Sequence, residues 1–318
     1  MRICSLLPSA TDIVLALGLR DQLVAVTHEC DLPSSEHRIP VITRSPIADS
    51  RRGSREIHTH VTAAAHAGST LYALDQALLE RLEPDVILTQ ELCDVCAISY
   101  TEVATAVHRL DVALPARRTV LSLEPKTLDG ILGAIEQVGR ATGVAERARS
   151  LADRLRERID RVATIARRAP ARPRVFAMEW LDPPYTAGHW VPEMIRLAGG
   201  HDALGAEGAP SIEVSWTQII TYDPEVLLFM PCSFDLSRTI SELATIDPPR
   251  GWERLTAVAT RRVFAVDAAR YFSRSGPSTV DGLQVLAEIM HPELFARTSP
   301  VDAWRRLASP WAGEVTTG

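Results

Sequence analysis

Apolar residues recur through residues 144–169 (VAERARSLADRLRERIDRVATIARRA) at Val144, Ala148, Leu151, Leu155, Ile159, Val162 and Ile165. Gaps of three or four residues put them on one face of a helix, with Arg, Asp and Glu filling the wet face. Pro170 and Pro173 close the run. The pattern predicts a helix over residues 145–168, roughly 36 Å long at 1.5 Å per residue. It lies near the middle of the chain, and the stretches before and after it resemble each other. The expectation is an N-terminal α/β lobe (residues 1–143), a linker helix (144–169) acting as a rigid spine, and a C-terminal α/β lobe (170–318).

Three pairs of segments match in order. Residues 2–7 (RICSLL) pair with 174–179 (RVFAME), and each leads to an amphipathic stretch ending in Gly, TDIVLALGL and PEMIRLAGG. Residues 82–88 (LEPDVIL) pair with 222–228 (YDPEVLL), a helix end feeding a buried strand. Residues 119–123 (TVLSL) followed by Thr127 and an apolar helix pair with 262–266 (RVFAV) followed by Thr279. Thr127 and Thr279 read as N-caps, as do Ser9 and Thr11 in residues 8–12 (PSATD). Strands alternating with helices give parallel sheets, which bind ligands at the carboxyl ends of their strands. Two such lobes on one spine would face each other across a cleft.

The halves differ in their loops. The strand-to-helix offset between halves grows from 172 to 181 in the first pair and from 143 to 152 in the third, nine extra residues each time. The extra residues bring Trp180, Tyr185, His189 and Trp190 in one loop, and Arg270, Tyr271, Phe272, Ser273 and Arg274 in the other. Two Trp, a Tyr and a His in a Pro-stiffened loop favour a ligand wall. The arginines fit a carboxylate, a phosphate or acids on the rim. Cys232 ends the matching strand of the second half and suggests a sulfur-lined floor.

The chain of 318 residues is 46% hydrophobic and 23% charged, room for two good cores. Its net charge of −6 argues against a nucleic-acid partner. No run reaches the length of a membrane span. The first strand begins at once, without a charged and apolar leader, so the sequence as written reads as cytoplasmic. The five cysteines, Cys4, Cys30, Cys93, Cys96 and Cys232, argue for thiols or a metal site over a disulfide scaffold.

Chemistry concentrates at predicted strand ends. The first half offers Pro8 and Ser9, then residues 27–33 (THECDLP) with His28, Glu29 and Cys30. Residues 89–96 (TQELCDVC) add Gln90, Glu91, Cys93 and Cys96. The CxxC reads first as ligand contact or packing, next as a metal site with His28 and Cys30, and last as a redox pair. Residues 43–69, with His58, His60 and His66, read as a solvated loop leading to a helix. No Ser-His-Asp set, phosphate loop or paired-carboxylate signature points to hydrolysis, and the chain reads as a non-enzyme.

The motifs LLPSATDIVLALGL, EPDVILTQ and the linker helix resemble the substrate-binding proteins of iron-siderophore and vitamin B12 ABC transporters, the BtuF-like group with a helical backbone. THECDLP, LTQELCDVC, EWLDPPYTAGHWVPEMIRLAGG and YFSRSGP look like the leaderless subgroup labelled cobalamin-binding proteins. The resemblance implies two α/β lobes of the class III periplasmic-binding-protein type. It implies non-covalent binding of cobalamin, a related corrinoid or a metal chelate, with a membrane permease as partner and a periplasmic or cell-surface location. The alternatives are a cytoplasmic metal-ion handling protein using His28, Cys30, Cys93 and Cys96, and a thiol enzyme using Cys93 and Cys96.

Overall fold

The computed structural model describes residues 1–32, 39–45, 52–66, 73–90 and 118–308. Glu91, Cys93 and Cys96 lie outside them. The chain opens with β1 (Ile3–Ser5), α1 (Pro8–Ala16), β2 (Leu23–Ala25) and β3 (Thr43–Arg44). There follow α2 (Ser54–His66), β4 (Ala73–Leu74), α3 (Gln76–Leu82), β5 (Val86–Thr89), β6 (Thr119–Ser122), α4 (Leu128–Ala141) and α5 (Ala145–Ala166). The second half carries β7 (Val175–Leu181), β8 (Pro184–Thr186), α6 (Val191–Leu197), α7 (Trp216–Tyr222) and β9 (Val226–Phe229). It ends with α8 (Leu236–Leu243), α9 (Thr256–Ala259), β10 (Val263–Val266), α10 (Ala268–Tyr271), α11 (Ser278–Met290) and β11 (Trp304–Arg306).

Two compact units emerge. The first comprises Met1–Arg52, Glu56–Pro125 and Gly130–Arg154; the second comprises Gly53–Arg55, Lys126–Asp129 and Leu155–Gly318. The division falls inside α5, whose apolar face is buried at Ala148, Leu155, Ile159 and Val162. The helix ends at Ala166, two residues short of the expected bound, and a turn precedes Pro170.

Unit 1 holds a four-stranded parallel sheet in the order β2-β1-β5-β6. Its core gathers Cys4, Leu6, Ala25, Ile42, Leu79 and Ile87. Unit 2 holds a five-stranded sheet, β11-β10-β9-β7-β8, whose middle three strands are parallel and whose edges are antiparallel. Phe176, Met178, Leu227, Phe229, Val263 and Ala265 line its main core, and their spacing by two keeps one sheet face apolar.

The paired segments adopt paired structures. The order β1-β5-β6 in unit 1 corresponds to β7-β9-β10 in unit 2. Helices α3 and α7 both end on a left-handed acidic residue, Glu83 at φ 40° and Asp223 at φ 47°, before a Pro and a strand. Helices α1 and α6 both carry a Pro within their first two residues, Pro8 and Pro192, without a side-chain cap.

Several expectations need correction. Ser9 and Thr11 do not cap α1: Ser9 is buried in its first turn, and Thr11 donates to Ser5 Oγ at 2.8 Å. Thr279 lies inside α11 and donates to the Arg274 carbonyl at 2.7 Å, because Pro277 holds the cap position. Residues 43–69, expected as a solvated loop leading to a helix, carry a short strand at Thr43–Arg44 and a helix at Ser54–His66. Among the described residues no helix is long and apolar enough to cross a membrane.

The chain after α11 is tied back by one buried carboxylate. Glu288, 2% exposed, accepts from Thr298 N and Oγ1 (2.8 Å each), Ser299 N (3.2 Å), Ser299 Oγ and Gln284 Nε2 (3.2 Å). Burial alone would raise its pKa, but the bonds from Ser299, Thr298 and Gln284 together hold it below the ordinary value. Its stabilisation is therefore full above the ordinary glutamate range and is lost as pH falls through the lowered value. Glu288→Gln should cost on the order of 1–3 kcal/mol at neutral pH, since an amide hydrogen then faces donors. Urea titrations should show that gap narrowing as pH drops below 4; a constant gap would contradict the assignment.

Candidate functional site

In unit 2 the carboxyl ends of β7, β9 and β10 carry most of the expected site residues. The first insertion is not a loop but a hairpin: β7 and β8 pair Trp180 with Tyr185 and Leu181 with Pro184, through a cis Asp182–Pro183 peptide. Between Met178 and Trp180 the register slips, leaving one extra residue, Glu179, in β7. This β-bulge re-aims the strand. Met178 and Leu181 both join the core cluster, while Glu179 and Trp180 between them are left half-exposed.

Glu179 ties the neighbouring turns together. Its Oε2 accepts from Gly188 N at 2.9 Å, and its carbonyl accepts from Cys232 N at 2.8 Å. Gly188 must be glycine, because a Cβ there would lie 2.4 Å from Ser211 N. The next residue, His189, is left-handed at φ 53°; its N–H donates to the Ala209 carbonyl, and its carbonyl accepts from Gly208 N. Its Nδ1 is buried without a hydrogen-bond partner, as is Trp180 Nε1. Trp180 packs edge-on against Phe234, ring centroids 5.6 Å apart, and Arg238 lies 3.7 Å above the Phe234 ring. Ser233 N donates to Ser273 Oγ at 2.9 Å, which brings Cys232 and Ser273 to the same face.

Other expected wall residues serve packing. The second insertion begins as helix α10, capped by Asp267, whose side chain accepts from Arg270 N. That turn buries Tyr271 (3% exposed) and Phe272 (4%) and leaves Arg270 outside. Trp190, 9% exposed, donates from Nε1 to the Phe272 carbonyl at 3.0 Å.

Unit 1 groups Ser5, Thr11, Thr27, His28 and Cys30 at its strand ends. Ser5 Oγ donates to the Leu7 carbonyl, and Thr11 Oγ1 donates to Ser5 Oγ. Thr11 Oγ1 also lies 3.1 Å from Cys30 Sγ, a contact in which either atom can donate. Thr27 Oγ1 accepts from Glu29 N and lies 3.3 Å from Cys30 Sγ. His28 Nδ1 lies 2.7 Å from Thr43 Oγ1. Glu29 and Gln90 are half-buried, as is Pro8 at the start of α1. Among the described residues no group of three or more His, Cys, Asp or Glu could hold a metal ion. Cys4 is fully buried, and its thiol is pushed up to about 12 by burial, which makes it a packing residue.

Electrostatics single out a residue that sequence reasoning missed. Although Glu179 is only partly buried by area, its carboxyl is enclosed enough that burial raises its pKa from 4.5 to about 7, against the opposing Gly188 N–H. Burial, then the charge of Lys126, holds His189 below its ordinary value. Burial also lowers His28, against the charge of Glu29. The readable signal for Glu179 was a lone acid inside the apolar run VFAMEWL.

A model of the family described as periplasmic binding protein matches residues 3–269. The chain is 28% identical over 300 residues to the cobalamin-binding protein of Halobacterium salinarum, covering 91% of this chain and 69% of that one. It is 24% identical over 302 residues to the uncharacterized ABC transporter substrate-binding lipoprotein YvrC of Bacillus subtilis, covering 92% and 81%. The crystal structure of the periplasmic vitamin B12 binding protein BtuF of Vibrio cholerae superposes with a TM-score of 0.65 at 22% identity, covering 92% and 96%.

The raised pKa of Glu179 sets a stability trend. The folded state holds this proton more tightly than the unfolded chain, so its contribution is present at low pH and is lost as pH rises from about 4.5 through 7. Glu179→Gln keeps an acceptor for Gly188 N–H and removes the buried charge. It should match the wild type below pH 4.5 and exceed it above pH 7.5 by about 1–3 kcal/mol. Thermal melts across this range would refute the trend if the two proteins ran parallel.

Proposed function

The chain belongs to the periplasmic binding protein family, and from that premise we propose that it binds cobalamin or a related corrinoid or metal chelate without chemically changing it. The observation that carries this reading is the hairpin at the end of the unit 2 sheet. Trp180 and Tyr185 sit as cross-strand neighbours there, beside Glu179, His189 and Cys232. Flat rings give a large contact area at small entropic cost, which suits a broad planar chelate. The names of the Halobacterium and Vibrio relatives, for cobalamin and vitamin B12, point the same way. The name of YvrC supports the further inference that the partner is the membrane permease of an ABC transporter.

In this reading Trp180, Tyr185 and His189 contact the face of the chelate, and Cys232 and Ser273 contact its edge. Equilibrium dialysis against cyanocobalamin tests it. Binding with a dissociation constant in the micromolar range or tighter is expected, and Trp180→Ala should weaken it about tenfold or more. No binding up to about 1 mM, with haem bound instead, would replace the corrinoid by another chelate.

A further inference from the structure

Three polar atoms on the unit 2 face have protein surroundings that do not match them. Trp180 Nε1 and His189 Nδ1 are buried with no hydrogen-bond partner. The carboxyl of Glu179 is engaged only through Oε2, by Gly188 N–H, and among the described residues it forms no ion pair. The indole N–H can only donate. The bulge that adds Glu179 to β7 leaves this acid and Trp180 as half-buried neighbours between the core residues Met178 and Leu181.

The charged and titratable groups around Glu179 are engaged elsewhere. On its own hairpin, Asp182 pairs with Arg55 at 2.7 Å, and the charge of Glu213, a backbone β-bridge partner of Tyr185, acts on the Tyr185 hydroxyl. Beyond Gly188, His189 stays neutral near pH 7 under burial and the charge of Lys126. After β9 stands Cys232, and on α8 Arg238 lies over Phe234. After β10, Asp267 caps α10, Arg270 lies 5.3 Å from the Tyr271 ring centre, and Arg274 follows. Burial and the Gly188 N–H alone set the protonation of Glu179, so no cation is at hand to hold it ionised.

We propose that Glu179 meets the ligand as a neutral carboxylic acid, donating a hydrogen bond to a carbonyl on the rim of the chelate beside the Trp180 N–H. The site thus selects a chelate edged with carboxamide or similar acceptors, and it loses affinity when Glu179 ionises. An ionised Glu179 would turn a donor into a buried acceptor facing another acceptor. This rests on the reading of the site as a corrinoid or chelate site and names the group on the ligand that it recognises.

Equilibrium dialysis with cyanocobalamin, which takes up no proton near neutral pH, decides the matter. With Glu179 titrating near 7, wild-type affinity should fall about tenfold or more between about pH 6 and about pH 8.5. Glu179→Gln, which carries a permanent N–H donor, should show one affinity across that range. Glu179→Ala should bind more weakly than wild type at the lower pH, with circular dichroism reporting that it folds. A wild type that binds equally well at both pH values, or a Glu179→Gln variant that keeps the pH dependence, would overturn the proposal while leaving the corrinoid reading standing. No binding by the wild type at any pH would overturn both.

Discussion

One extra residue in β7 governs the geometry of the unit 2 face. Without the bulge, strict alternation would carry Trp180 to the core side with Met178 and strand Glu179 alone on the other. With it, Met178 and Leu181 keep the core filled, and an acid and an indole are left together between them. The same residue then organises its neighbours. Its carboxyl holds the Gly188 turn and its carbonyl holds the turn after β9. From Gly188 the order passes through Trp190 to the Phe272 carbonyl, so the turn after β10 is tied in as well. A side chain at position 188 would strike Ser211, so this arrangement admits only glycine there.

The two units reuse one plan, and they differ at their strand ends. Corresponding strands stand in the same order, and corresponding helices end on a left-handed acid before a Pro. These shared features are backbone solutions: the acid stops the helix, and the Pro turns the chain into a buried strand. Unit 2 departs from unit 1 at strand ends, by a hairpin after β7 and a short helix after β10. Of the two additions, the hairpin exposes rings, whereas the helix buries its own.

Much of this was legible in the amino-acid pattern, for physical reasons that also explain the failures. Helix α5 was readable because a period near 3.6 persists over many turns. The repeat was readable because LEPDVIL and YDPEVLL keep the stop, the turn and the strand in one order. The hairpin was missed because two prolines and several rings look like a loop, and because a bulge breaks the alternation that marks a strand. Tyr271 and Phe272 were misplaced although Asp267 and Arg270 stand at cap spacing; the short helix they start turns both rings inward. Hydroxyls near helix starts were read as caps, but Leu7 before Pro8 and Pro277 hold the cap positions, and Thr11 and Thr279 make other bonds. The protonation of Glu179 was beyond reach, since it depends on how closely other chain segments enclose the carboxyl.

The protonation states at the strand ends bear on what kind of ligand such a protein takes. A bare divalent cation is held by groups that have given up their protons, above all thiolates and carboxylates. In unit 1, taken by itself, Cys30 Sγ lies 3.1 Å from Thr11 Oγ1 and 3.3 Å from Thr27 Oγ1, two neutral hydroxyls. Burial lowers the pKa of His28 beside it, against the charge of Glu29. In unit 2, taken by itself, burial keeps the Glu179 proton up to about pH 7, and His189 is neutral. Glu179 and His189 therefore offer the unit 2 face uncharged polar groups. Such groups suit a metal whose charge is already balanced by its own macrocycle, and they give a naked ion little to bind.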